Sequence, residues 1–334
     1  MSIFRRKLGI IDYPWHQAHL YRLHALPANF WMARIRYPLW NHHQRPVPDN
    51  FRGGLDEADI RKRIRKGRLG LALLHLDQWC EYDTLRSFPF RMMKNLAQDI
   101  PRIIIMHGTP DSPENRRRTL RMIGNLPVVC NSEQARREWD GGEDREDKYD
   151  LPQFRTIIHG YKVDEFFNLP LESRRKEAIT ICSGGSMSRW YHGTTLVERL
   201  MRDIPDLHWL GPMGDRKWAN TYKEYRVMLA SSLIYLSPTR RAPMPGSRTE
   251  AMLSGCCIVS VPGNDWREYV HSGDNGVIVN DYRAVRAVLQ DLISRPQAAY
   301  EMGQRGRDTA RLAFEHTRFV EDWCKVLDGI GVDL

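Results

Sequence analysis

The sequence predicts an α/β protein of two doubly wound domains, each a parallel sheet covered by helices. Three observations predict it. Short, strongly apolar segments alternate with amphipathic helical patterns almost from end to end of the 334 residues. Those segments are continuous apolar runs, as strands buried on both faces require. The series breaks near residues 165–175 and restarts, and the length suffices for two domains of ordinary size.

In the first series, "LGIID" (8–12) is a candidate strand, followed by a helix around "HQAHLYRLHAL". Further candidate strands are "FWMARIRY" (30–37), "GLALLHL" (70–76), "RIIIMH" (102–107), "LPVVCN" (126–131) and "FRTIIHG" (154–160). The second series runs "AITICSGG" (178–185), a helix near 193–203, "LHWLG" (207–211), a helix to Ala230 and "SLIYLSP" (232–238). A helix after Ser247, "CCIVSVP" (256–262), "GVIV" (276–279) and further helices complete it. The expected domains are 1–168 and 169–314, with a helix over 315–334 packing back toward the N-terminal domain. Ligands of such sheets bind beyond the carboxyl ends of the strands, so a site in a cleft between the domains is expected.

Composition narrows the classes. Hydrophobic residues at 42% and charged residues at 27% fit a soluble globular chain without a disordered tract. No apolar run approaches the length of a membrane span. "MSIFRRKLGIIDYPW" reads as a first strand rather than a signal peptide, making the cytoplasm the expected compartment, with peripheral association at a membrane or on nucleic acid left open. The six cysteines are scattered without a CxxC pair, which predicts buried reduced thiols and no zinc site. The net charge of +9 favours acidic partners: nucleic acid, an anionic membrane surface or a polyphosphorylated ligand. No obligate protein partner is evident. "DGGEDREDKYD" (140–150) reads as an acidic surface loop.

The segment most suggestive of chemistry is "APMPGSRTEAM" (242–252). Ser247 and Glu250 have the spacing of a capping box. The backbone N–H groups of Gly246, Ser247 and Arg248, with the helix dipole, would receive an anion. Arg240, Arg241 and Arg248 add positive charge, and Met244 and Thr249 line the same entry. A diphosphate suits this place; the alternative is a plain capped helix under a solvated basic loop.

In "DYPWHQAHLYRL", His16 and His19 are spaced to share a helix face. No third ligand accompanies them at a metal-site spacing, so no metal is expected. Trp15, His16 and His19 are read as contacts to acceptor or donor, against the alternative of ordinary polar-face residues. "LLHLDQW" (73–79) sets His75 and Asp77 at a strand end on one face; Asp77 either orients an acceptor hydroxyl or caps a turn. The basic runs "IRKRIRKGRL" (60–69) and "ENRRRTLRM" (114–122) are solvated faces, phosphate-tracking surfaces or lipid-facing ones.

Pro238, Glu250-Ala251-Met252, Gly255 and "DNGVIV" (274–279) together resemble the C-terminal domain of family 4 glycosyltransferases. "HGTP" (107–110), "VVCNSEQARRE" (128–138) and "IIHGYKVDEF" (157–166) fall in that family's order, as do "CSGG" (182–185) and "HWLG" (208–211). The likeness is good over about 100–280 and weak before it. It implies the GT-B fold and a retaining, metal-independent transferase using a nucleotide-diphosphate sugar and no other cofactor. Carried over, Glu250 would hold the ribose hydroxyls, as an acceptor-only carboxylate can. His107 would lie near the donor sugar as a catalytic residue. The family's first glutamate falls at Ala242, a departure at the donor-sugar contact. Its diphosphate-binding arginine and lysine fall near Met187 and His192, with Arg189 between them as the substitute charge.

The leading expectation is therefore a glycosyltransferase acting on a lipid, glycan or small-molecule hydroxyl. Transfer to modified bases in DNA, a degenerate nucleotide- or nucleic-acid-binding protein, and a nucleotide-sugar epimerase of the same fold remain open.

Overall fold

The computed structural model describes residues 7–35, 38–141, 153–181, 189–211, 213–242, 244–263 and 267–334. It divides into two compact units, Met1–Gly160 with His316–Leu334, and Tyr161–Glu315. The sequence segments 142–150 and 182–185, and Met187, lie outside the described residues.

Among its described residues the first unit holds seven strands: β1 (Gly9–Asp12), β2 (Asn29–Ala33), β3 (Phe51–Leu55), β4 (Leu71–Leu76), β5 (Arg102–Met106), β6 (Val128–Cys130) and β7 (Phe154–Thr156). They form one sheet in the order β3-β2-β1-β4-β5-β6-β7, and every pairing is parallel. Helices α1 (Gln17–Leu23), α2 (Glu57–Arg65), α3 (Thr84–Leu96), α4 (Pro113–Ile123) and α5 (Glu133–Asp140) connect them. Capping sets where several begin: Asp56, Ser112 and Ser132 each accept a backbone N–H three residues on. β3 escapes the sequence reading because "FRGGL" lies at a sheet edge and is only partly buried, so it lacks an apolar run.

The central strands are buried on both faces, and their side chains divide by parity. Leu71 and Leu73 join one core with Ile10, Phe30, Ile103 and Ile105. Ala72, Leu74 and Leu76 join the opposite core with Ile11, Ile104 and Met106. The final helix α11 (His316–Asp328) brings Phe319, Trp323 and Leu327 into the first of these cores.

The second unit holds β8 (Arg175–Thr180), β9 (Leu207–Trp209), β10 (Ser232–Ser237), β11 (Cys257–Ser260) and β12 (Val277–Ile278). They form a parallel sheet in the order β12-β11-β10-β8-β9. Its helices are α6 (Thr194–Asp203), α7 (Tyr222–Ser231), α8 (Gly246–Leu253), α9 (Tyr282–Ser294) and α10 (Pro296–Ala313). Cys80, Cys130, Cys256 and Cys257 are buried free thiols, and Cys324 is a partly buried one.

Trp323 is 1% exposed. Trp323→Ala is expected to destabilise the first unit by about 3–5 kcal/mol, read as a lower urea midpoint by circular dichroism.

Candidate functional site

Parity carries four titratable side chains to one place. In the first unit Ile10, Leu73, Ile105 and Ile157 share a core. Two residues further along each segment stand Asp12, His75, His107 and His159. All four therefore fall on the same face, at the carboxyl ends of the strands. β1 and β4 are neighbours there, with the sheet continuing in opposite directions from them. Such a switch point is where doubly wound sheets open a ligand crevice. α1 adds His19, buried on the helix face that also carries Leu20 and Leu23. Arg318 of α11 donates to the carbonyls of Ile158 (2.9 Å) and His159 (3.1 Å), fixing the backbone beside that residue.

A chain of hydrogen bonds links the group. His75 Nε2 lies 2.7 Å from Asp12 Oδ1, and His75 Nδ1 lies 2.9 Å from His107 Nε2. A carboxylate only accepts, so Asp12 places the proton of His75 on Nε2. His75 Nδ1 then accepts from His107 Nε2–H, and His107 Nδ1 keeps the lone pair. The Tyr13 hydroxyl donates to the His75 carbonyl (2.7 Å) and accepts its N–H (2.6 Å). Trp15 stacks over His75 and His107, with ring centroids 6.1 and 6.0 Å away. The His19 ring lies 4.8 Å from His107 and 5.4 Å from His159. Among the described residues, the ring nitrogens of His19 and His159, Asp12 Oδ2 and Thr109 Oγ1 are buried without a hydrogen-bond partner.

Burial holds His19, His107 and His159 well below the usual histidine value of 6.5, and the neighbouring histidines and Arg22 lower them further. They are neutral imidazoles at neutral pH, equipped to exchange hydrogen bonds with hydroxyls or to ligate a soft cation.

The other N-terminal candidates divide. His16 is exposed, its ring 5.2 Å from that of His107. Of the two readings of Asp77, the structure shows the turn cap. It starts a 3-10 turn, accepting the Trp79 N–H (3.0 Å), and both its oxygens receive the Arg86 guanidinium. Gly108 admits this packing, because a Cβ there would lie 1.6 Å from Gln78 Oε1. The basic runs are partly neutralised in place: Arg61 pairs with Glu57, and Arg118 with Glu114 and Glu81.

In the second unit β8 and β10 form the corresponding switch point. The turn before α6 is fastened to the end of β10. Arg240 N–H donates to the Tyr191 carbonyl (2.9 Å), and the Arg240 guanidinium sits over the Trp190 ring. Gly193 caps α6 with φ 72°, and a Cβ there would lie 2.2 Å from the Pro238 carbonyl oxygen. Only glycine meets both demands.

At α8 the structure departs from the predicted capping box. The helix begins at Gly246 behind Pro245, which makes no side-chain cap. Ser247 Oγ accepts instead from the Tyr235 hydroxyl (2.8 Å), and Glu250 Oε2 from the Tyr225 hydroxyl (2.6 Å). Glu250 is 3% exposed and its carboxylate is oriented from below by α7. Arg248 and Thr249 are buried too, as is Met244. Arg248 is thus no member of an open basic loop: burial pulls its guanidinium down to about 9. Arg189, the substitute diphosphate charge, is half-exposed and ion-paired with Glu198 on α6. His192 is lowered by burial, and Ala242 is partly buried.

Sequence reasoning names His19, His75 and His107 separately but misses Asp12, His159 and the meeting of all five. Its signal was present: "LHL", "MHG" and "IHG" each end an apolar run with a histidine at the same parity.

Residues 170–295 match the sequence profile of the family described as glycosyl transferases group 1. No curated protein matches the chain by sequence. Solved structures match nearly its whole length. HepE of Anabaena in complex with UDP-glucose is 14% identical, with a TM-score of 0.66 over 96% of this chain and 100% of that one. Sucrose-phosphate synthase from Thermosynechococcus elongatus is 14% identical, with a TM-score of 0.67 over 98% and 99%. A glycosyltransferase from Rickettsia africae is 12% identical, with a TM-score of 0.68 over 98% and 99%. The fold is the two-domain α/β architecture of the GT-B class.

Two outcomes follow from the histidine group. Asp12→Asn should release the tautomer of His75 while the protein stays folded, seen as changed imidazole 15N shifts; unchanged shifts would contradict the assigned proton order. Histidines lowered in the folded state bind protons more readily when unfolded, so stability is full above about pH 6.5 and falls as pH drops below it. Each contributes up to about 1.4 kcal/mol per pH unit. His19→Gln should blunt the decline of Tm between pH 7 and 5.

Proposed function

We propose that this chain is a retaining glycosyltransferase that moves a sugar from a nucleotide-diphosphate sugar to an acceptor hydroxyl. The match of residues 170–295 to group 1 glycosyl transferases carries the reading, because it encloses α8 with its buried, oriented Glu250. A GT-B fold over the whole chain supports it. HepE is described with UDP and with UDP-glucose, which makes UDP-sugars the first donors to test.

In this reading Glu250 accepts from the ribose hydroxyls. The N–H groups of Gly246 and Ser247, with the α8 dipole, receive the diphosphate. Arg189 serves the diphosphate only by leaving Glu198, and His192, neutral, contributes hydrogen bonding rather than charge. His107 offers the lone pair of Nδ1 to a substrate hydroxyl, while Trp15 and His16 contact acceptor or donor. Rate enhancement comes from fixed dipoles stabilising the leaving diphosphate. The acceptor is a lipid, glycan or small-molecule hydroxyl.

A thermal-shift screen over nucleotide-diphosphate sugars tests this. A true donor at a hundredfold above its Kd stabilises by about 2.7 kcal/mol. Glu250→Ala should weaken that donor roughly ten- to hundredfold, as expected for lost charge-assisted hydrogen bonds of about 1.5–3 kcal/mol. Stabilisation by no donor would leave a non-catalytic binding protein as the better reading, and a product of inverted anomeric configuration would refute retention.

A further inference from the structure

The geometry points to a transition-metal site formed by His19, His75 and His107 in the N-terminal unit. One ligand nitrogen from each lies within 4.8 Å of the other two. Metal–nitrogen bonds of about 2.0–2.1 Å set two ligands of a tetrahedral ion about 3.4 Å apart. Ring rotations of about 1 Å or less therefore bring the three onto one ion. His75 Nδ1 and His107 Nε2 are already 2.9 Å apart.

Four observations support a ligand here rather than a packed core. The ring nitrogens of His19 are buried without a hydrogen-bond partner among the described residues, and such groups are rare unless something fills them. The three imidazoles come from separate elements, α1, β4 and the end of β5, so no local helix pattern explains their meeting. His75 carries the outer partner that metal-bound histidines usually have, Asp12 on its second nitrogen at 2.7 Å. His159, whose ring nitrogens also lack a hydrogen-bond partner among the described residues and whose ring is 5.4 Å from that of His19, stands where a fourth ligand or an open position would be.

All-imidazole sets suit Zn(II), Ni(II), Cu(II) or Co(II) rather than Mg(II) or Ca(II). Sequence spacing alone offers His16 and His19 no third ligand. The fold supplies two, and leaves His16 out of the set.

Occupation would change the role of His107. In the metal-free protein its proton sits on Nε2, hydrogen-bonded to His75 Nδ1. A metal taking Nε2 requires that proton to move to Nδ1, with none lost. The remaining nitrogen then changes from acceptor to donor. Metal binding and use of His107 Nδ1 as a hydrogen-bond acceptor are mutually exclusive, so the ion would act as a switch on this group.

The test is Co(II) titration of the full-length chain, followed by visible absorption and equilibrium dialysis, with Zn(II) as competitor. The expected result is one Co(II) per chain with a ligand-field band, displaced by Zn(II). His19→Ala and His107→Ala should each abolish stoichiometric binding, and Asp12→Asn should weaken it roughly ten- to hundredfold. The exposed pair His42 and His43 is the control for surface binding; a variant with both replaced by alanine should bind like the parent. No band at micromolar Co(II), or equal binding by the parent and His19→Ala, overturns the site. Circular dichroism of each variant separates lost binding from lost folding. No nucleotide sugar is present, so failure here leaves the glycosyltransferase reading untouched.

Discussion

A parallel strand buried on both faces leaves its side chains no solvent to reach. Every residue must enter one core or the other, and period two decides which. This constraint organises the N-terminal unit. It sends Leu71 and Leu73 to the α1 and α11 side and Ala72 and Leu74 to the other. Polar residues that follow the apolar run inherit the same parity without choosing it. His75, His107 and His159 thereby converge with Asp12 at the carboxyl ends of the strands. The candidate site is the continuation of the core by two residues.

Burial then governs the chemistry. A charge in this setting is costly, so burial holds His19, His107 and His159 neutral, while Asp12 Oδ1 lies against His75 Nε2. Asp77, two residues further along, follows a different logic. It is consumed by the Trp79 N–H and the Arg86 guanidinium, which fix the turn leading to α3. Acids at the ends of the adjacent strands β1 and β4 thus serve separate purposes because their partners differ.

The C-terminal unit shows local spacing being overridden. Ser247 and Glu250 have the separation of a reciprocal cap, yet each is taken by a tyrosine from another element: Tyr235 on β10 and Tyr225 on α7. A tyrosine hydroxyl buried beneath a helix needs an acceptor, and these two side chains provide it. The result keeps the start of α8 uncapped by side chains while orienting Glu250. Arg248 shows the converse, a residue that reads as surface charge and is enclosed.

Continuous apolar runs determined the fold class and the place of eleven of the twelve strands among the described residues, because burial on both faces writes itself into composition. They failed at β3, an edge strand that needs no such run. The Glu250 helix was also legible, since its glycine, glutamate and flanking strands are contiguous. Tertiary structure alone decided which side chains meet. His19, His75 and His107 lie on three elements far apart in the chain, and hydrogen bonding to Asp12, Tyr225 or Tyr235 depends on register and packing that no local window contains. Sequence encodes the period of each strand; only pairing the strands turns those periods into a site.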